Sequence, residues 1–498
     1  MLFAGMNELL SRGVAMTDSS RILISGAGLR CADVVRVARR SAWPKLAPEA
    51  LTRAEQSYEL AVELGAKGAV YGRTTGVGAN RHIVVDPEGA DLHGLRLLRS
   101  HAGGTGAPLP DDAVRAVMAV RLNQLAAGGS GVHPRLLRAL EQALRVGALP
   151  LVHTRGAIGT GDLTALAEIA LTLAGELPWE SGGIDPVAIS PGDALAFISS
   201  NAATLAEAVL AWHDLSRLLA ASHVVTALTF CALGGSAEAY DERVHASRPH
   251  PGAVRCAAEL RRLLTSGGDL PPGRRLQDPF GLRAFPQVQG PALEAAARVE
   301  QVLEVDINAA AENPLIDTET QQAFHHGQFS TAPVALAFDY LRAALHHTAE
   351  LSAARLSDLV EPDLSGLPPF LAEGPAGSSG VMILEYVAHD ALGTLRHAAS
   401  PVTLGTAVIS RGLEDHASFS THAVRSTVAA TAAYRTVLAC ELLGAVRALR
   451  MSDTELPDTP LRQAFAMAST GLPHVAEDHP LSTEIQQAER LLDRLAVL

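Results

Sequence analysis

In the stretch GAIGTGDLTALAEIALTLAGE (156–176), Leu163, Leu166, Ile169, Ala170 and Leu173 fall three and four residues apart. That spacing predicts a helix with one apolar face. Two glycines loosen the chain ahead of it, and Asp162 suits the positive end of a helix. Thr160, at the centre of GTG, then reads as the cap of that helix. The same periodicity predicts long helices over 193–235, 291–312, 331–360, 380–398 and 421–450. Upstream, residues 22–160 alternate short helical patterns with the glycine-rich loops YGRTTGVGAN (71–80) and SHAGGTGAPLP (100–110). Proline and glycine punctuate the connections, as in ASRPHPG (246–252), TSGGDLPPG (265–273) and SGLPPFLAEGPAGSSG (365–380). The pattern predicts an all-α protein, an elongated multi-helix bundle with a loop-rich N-terminal part. Its expected divisions are an extension at 1–21, the active-site loops at 22–190 and the long-helix bundle at 191–498.

Composition agrees with that picture. Hydrophobic residues make up 48% of the 498 and aromatics 4%, so small aliphatic side chains let helices approach closely. A net charge of −13, without a long run of Lys or Arg, argues against a nucleic-acid partner. Cys31, Cys231, Cys256 and Cys440 show no metal-ligand spacing and read as reduced, buried thiols. The first residues lack the basic and apolar regions of a signal peptide, and Met16 offers an alternative start. Leu218 to Gly235 carries no formal charge and approaches membrane-spanning length, yet a charged helical sequence runs straight into it. A helix surrounded by other helices explains it, which predicts a cytoplasmic protein without a membrane partner. Such central helices, 198–235 among them, are expected to need further copies of the chain to bury every face.

Several motifs then converge. GTGDLTAL resembles the ASGDLAPL signature of the histidine, phenylalanine and tyrosine ammonia-lyase family, and YGRTTGVG resembles its YGxxTGFG loop. LLRSHAGGTG, MAVRLNQLAAGGSG, RPHPG, LQDPFGLRAFPQVQG, INAAAENPLID, HHGQ, SGLPPFL and LEDHASF follow in the family's order, from about residue 22 to about 450. The resemblance implies the lyase bundle fold, a homotetramer with active sites shared between chains, and no external cofactor. It also implies an electrophile, methylidene-imidazolone, made by cyclising and dehydrating an Ala-Ser-Gly triad. Here the triad is Gly159-Thr160-Gly161, in a loop one residue shorter. Dehydrated threonine would give an ethylidene, more hindered and less electrophilic. The expectation is therefore an unmodified Thr160, a cyclised triad being the alternative.

The resemblance assigns the remaining site residues. Tyr71 matches the loop tyrosine that takes the β-proton, and Arg283 the arginine that grips the substrate carboxylate. His101 matches the position facing the substrate side chain, Glu414 a partner for imidazole or ammonium, and Asn313 the asparagine of ENPL. Other polar positions of the family are replaced: its NGT by Ser199-Ser200-Asn201, its second tyrosine by Phe280, an asparagine by Phe324 and a glutamine by Leu413. His346 and Glu350 stand four apart on a predicted helix, but no second matching pair faces them, so no metal is expected. His325-His326 falls on the family's HG turn, and GRTTGVG lacks the lysine of a phosphate loop.

These readings predict a carbon–nitrogen lyase acting on an amino acid with an imidazole or phenol side chain, or on a related carboxylate. The alternatives are an enzyme of this fold that works without the electrophile, and a non-catalytic binding or scaffold subunit.

Overall fold

The computed structural model describes residues 20–86, 90–266 and 273–498. Residues 1–19 of the expected N-terminal extension, and much of the 265–273 connection, lie outside them. Most of the described chain is helical, and its strands form two-stranded ladders. It divides into two units. The first holds residues up to Glu207 together with Glu304–Ser330 and Val408–Asp415; the second holds Ala208–Leu303, Thr331–Ala407 and His416–Leu498.

In the first unit, β1 (Arg21–Ile24) pairs in parallel with β2 (Trp43–Leu46). Helix α1 (Ala90–His101) precedes α2 (Asp111–Ala126), which is buried from Ala113 to Ala126. A helix buried on all sides needs partners for its polar groups. Asn123 accepts from Gly26 N–H (3.1 Å) and donates to Ile307 O (2.9 Å), and Gln124 donates to Asp306 O (3.1 Å). The periodic stretch that begins at Leu163 forms α3 (Leu163–Leu173), with Leu166, Ile169, Ala170 and Leu173 buried as the spacing predicts.

The expected continuous helix 193–235 is two helices, α4 (Asp193–Ile198) and α5 (Ala202–Leu233). The interruption is Ser199-Ser200-Asn201, three side chains that compete with the helical backbone for hydrogen bonds. Periodicity alone cannot register such a break.

The second unit is built on α6 (Phe285–Asp306), α7 (Ala332–Val360), α8 (Ile383–Ala398) and α9 (Ser420–Met451). The expected 291–312 helix starts earlier, at Phe285, and runs through Pro291. Helix α9 packs on both α7 and α8. At Gly444 a Cβ would come within 3.0 Å of Leu356 Cδ1, so the missing side chain lets α9 and α7 approach. An ion pair sits between them: Arg355 donates to Glu441 through Nε (2.6 Å) and Nη2 (2.7 Å). Ser352 (2.6 Å) and Thr229 (2.8 Å) give the same carboxylate two more donors. Both charged side chains are fully buried.

Two helices among the described residues are long and apolar enough to cross a membrane, but their apolar windows are 94% and 72% buried within the chain. In α5 the stretch from Val224 to Phe230 is covered within one chain.

The buried pair sets the first test. Arg355→Ala strands a carboxylate in the interior and should lower the unfolding free energy by about 3–5 kcal/mol. Arg262→Ala, at the half-exposed pair with Glu259, should cost at most about 1 kcal/mol. Urea denaturation followed by circular dichroism compares the two.

Candidate active site

Loops of the first unit, with the end of α1, the start of α3 and α4, line a cavity of about 380 Å³. Tyr71, His101, Thr160, Ser199, Asn313 and Glu414 line it, so most of the expected site residues meet in one place. Val77 to Asn80, Leu163, Leu195, Ile198, Phe329, Ile409 and Ser410 complete the wall.

The Tyr71 loop is fixed by close approaches that glycine permits. Gly72 has φ +69°, and a Cβ there would lie 2.0 Å from Leu195 Cδ2. Gly78 N–H donates to Tyr71 Oη (2.7 Å), and Ser410 Oγ accepts from Ala79 N–H (3.0 Å), tying this loop to the 409–414 loop. That second loop closes on itself through Ile409 N–H to Glu414 O (2.8 Å). The His325 ring meets Tyr71 edge-on at 6.3 Å, a neighbour the sequence reading placed only in a turn.

His101 ends α1 with Nδ1 2.8 Å from Leu97 O. A carbonyl can only accept, so Nδ1 carries a proton, and in the neutral ring Nε2 is the acceptor. Asn313 N–H donates to Ser199 Oγ (3.1 Å), and its Oδ1 accepts from His326 N–H (3.1 Å), which leaves the carboxamide NH₂ to donate.

Thr160 is not a helix cap. Helix α3 starts at Leu163 with Asp162 in the N-cap position, two residues further on. Thr160 lines the cavity instead, between Gly159 (φ +87°) and Gly161 (φ +123°), backbone angles that side chains rarely adopt. Asp162 spends its carboxylate on Thr204, accepting from N–H (2.6 Å) and Oγ1 (2.9 Å). Asp162 N–H donates to Ser200 O (2.8 Å), a carbonyl freed by the break between α4 and α5.

The triad also has an asparagine contact that the motif comparison gave no role. Asn201 Oδ1 accepts from Gly161 N–H at 3.1 Å, and its amide donates to Phe329 O. Ser199, matched to the family's asparagine, holds Asn313 rather than the triad. Ser200 Oγ donates to Gln124 (2.6 Å), whose Oε1 also accepts from Arg121 Nη1 (3.2 Å). Arg121 pairs with Glu312 (2.6 Å) and donates to Phe197 O (2.8 Å) and Ala196 O (2.6 Å). The polar spacing of MAVRLNQLAA inside an apolar helix was the available signal for this network.

Arg283 and Phe280 belong to the second unit, where Arg283 Nε donates to Asp278 O (3.1 Å) and its guanidinium lies 4.9 Å from the Phe280 ring centre. Phe324 and Leu413 are partly exposed in the first unit. In the second unit, Glu350 Oε2 lies 3.5 Å from His346 Nδ1 and 3.1 Å from His347 Nδ1. These three form a cluster with metal-ligand chemistry among the described residues.

With the geometry in place, the comparisons decide the family. A model of the aromatic amino acid lyase family matches residues 29–470. The chain belongs to this family. It is 33% identical over 488 residues to a histidine ammonia-lyase of Treponema denticola, covering 95% of this chain and 96% of the relative. Among solved structures it resembles the ergothioneine-degrading ergothionase of Treponema denticola (TM-score 0.90, 25% identity, 96% of this chain and 99% of that one). It also resembles the tyrosine aminomutase of Streptomyces globisporus (TM-score 0.89, 27% identity, 95% and 97%). Membership makes the chain a carbon–nitrogen lyase of the group that acts on aromatic or polar amino acids.

Burial raises the Tyr71 phenol above its ordinary range; the Gly78 N–H hydrogen bond partly opposes it, the Glu414 carboxylate adds a smaller upward push, and Arg81 a smaller downward one. The phenol is therefore neutral in the ligand-free site at neutral pH. Because the folded-state value lies above the unfolded one, the associated stability is present below about pH 10 and is lost as pH rises through the folded value. A difference titration of wild type against Tyr71→Phe should show Tyr71 ionising later than an exposed tyrosine. Glu414→Gln should bring that titration to lower pH.

Proposed function

We propose that the chain eliminates an amine from an amino acid with an imidazole or phenol side chain, or from a related carboxylate. Thr160 acts unmodified and no external cofactor takes part. The observation that carries this reading is the charge of the cavity: Glu414 is the one formally charged side chain among its described lining residues. A lone carboxylate in a partly enclosed site selects a cationic group, an imidazolium or an ammonium. His101 Nε2 and the Asn313 amide supply polar contacts that an apolar ring would leave unpaired, which disfavours phenylalanine. The relative named for histidine supports the imidazole over the phenol.

The triad residues are a poor match for the family's electrophile. The Thr160 β-methyl would turn a methylidene into a more hindered ethylidene. One observation favours the second reading, a cyclised triad: Gly161 N–H is held by Asn201, and both flanking glycines have positive φ.

Proton removal falls to Tyr71. The Glu414 charge that raises the phenol is cancelled when a cationic substrate pairs with it, so binding itself makes the phenolate more accessible. Gly78 N–H remains as a donor to the phenolate oxygen. After the phenol has given its proton to solvent, the Tyr71 phenolate takes the Cβ proton, the C–H electron pair becomes the C=C bond, and the C–N pair leaves with the substrate ammonium group as a neutral amine. Arg283 does not line this cavity; in the shared sites of the proposed tetramer, the substrate carboxylate is assigned to Arg283 of another chain.

The peptide containing residues 156–168 should carry its unmodified mass, whereas a loss of two waters within 159–161 would overturn the assignment of Thr160. Amine release should be faster from histidine than from phenylalanine, and Tyr71→Phe should slow it by about 10²–10⁴-fold. Equal turnover of phenylalanine would remove His101 and Glu414 from the specificity argument.

A cytoplasmic homotetramer with shared active sites completes the proposal. Its support is the apolar surface of the second unit, where Leu336 and Tyr340 on α7 and Ile383 and Tyr386 on α8 are exposed. Light scattering should report four chains at micromolar concentration, and a stable monomer would refute it.

A further inference from the structure

A second groove, of about 660 Å³, lies in the first unit and shares no residue with the active-site cavity. One wall is β2 with its neighbour β1: Arg21 stands opposite Trp43 in the parallel register, and Lys45 is two residues along from Trp43 on the same face. The other wall is the helix Pro134–Val146, which contributes Arg138, Glu141, Gln142 and Arg145. Those positions are spaced 0, 3, 4 and 7 and so form a single helical face. Pro44, Leu46 and Leu51 supply an apolar floor.

The charges in this groove are out of balance. Lys45, Arg138 and Arg145, with Arg21 beside them, outnumber the one carboxylate among the described lining residues, Glu141, which already accepts from Leu46 N–H at 2.8 Å. That hydrogen bond also joins the strand to the helix. Cations gathered on one groove give it a positive potential that favours an anion. In a chain of net charge −13 the concentration is not a general property of the surface. The Trp43 ring is held from the protein side by the buried Arg115 guanidinium, 5.3 Å from the ring centre. The groove thus combines a fixed aromatic surface and an apolar floor with a cationic rim.

We infer that this groove binds a nucleoside polyphosphate, with its base on Trp43 and its phosphates against Arg138, Arg145, Lys45 and Arg21. Guanidinium groups are the natural forks for phosphate oxygens, and an indole is the natural platform for a planar base. The four cations come from positions 21, 45, 138 and 145, which explains why no basic run marks the site in the sequence.

Isothermal titration of the full-length protein with ATP, AMP, pyrophosphate and a single-stranded oligonucleotide tests this inference. ATP should bind one per chain and raise the melting temperature. Rising salt should weaken it. AMP and pyrophosphate should each bind more weakly than ATP, the first for want of phosphates and the second for want of a base. The double variant Arg138→Glu/Arg145→Glu changes only exposed side chains, so it should keep the wild-type melting temperature and turnover while weakening ATP by at least about tenfold. No ATP binding at millimolar concentration, or equal binding to the double variant, would overturn the site. Pyrophosphate binding as tightly as ATP would overturn the role of Trp43, and tighter binding of the oligonucleotide would replace the nucleotide with a nucleic acid.

Discussion

The wall of the active-site cavity hangs on one buried ion pair, Arg121 with Glu312. Neither side chain reaches solvent, so each depends on the other to offset the loss of water. Arg121 does more than neutralise a carboxylate. It takes the last carbonyls of α4, which a helix end leaves unsatisfied, and it orients Gln124. Gln124 holds Ser200, whose own carbonyl receives the Asp162 N–H at the base of the triad loop. On the other side of the pair, Glu312 immediately precedes Asn313, a cavity residue. One guanidinium therefore sets the end of α4, the triad loop and the 313 turn against each other.

The helices were legible because burial imposes a period. Of the long segments, α7, α8 and α9 end close to where their apolar stripes end, and α3 buries the residues its spacing marks. Breaks and caps were less legible, since they depend on where side-chain hydrogen bonds find partners far away in sequence. Asp162 occupies the cap position while bonding Thr204, forty-two residues away, and local pattern gives no sign of that partner. Motif matching brought Tyr71, His101, Thr160, Ser199, Asn313 and Glu414 to a common cavity. It gave no role to Asn201, whose carboxamide the fold brings to Gly161 N–H. A side chain in a non-helical turn can reach a backbone atom far away in sequence, and alignment by position cannot represent that.

Tyr71 shows how a site can be tuned against its resting state. A base that stayed ionised beside Glu414 would carry two negative charges in a small, half-enclosed space. Burial and Glu414 keep the phenol protonated, and the one strong countering contact is a backbone N–H that cannot move away. In the proposed elimination, the phenol thus waits in its neutral form while the surrounding dipole already points at the charge it would carry as the base.

The interruption between α4 and α5 has a consequence for how this protein can change. Ser199, Ser200 and Asn201 all have lower helix propensity than alanine, and replacing them would let one uninterrupted helix form, a local gain. Such a repair would withdraw Ser200 O from the Asp162 amide and Asn201 from Gly161. A search for hardier variants that scores helix content or melting temperature would therefore be drawn to the three positions where improvement dismantles the triad loop. Selection for function has to work against local folding preference there, and drift in a copy relieved of its activity would be expected to straighten this helix early.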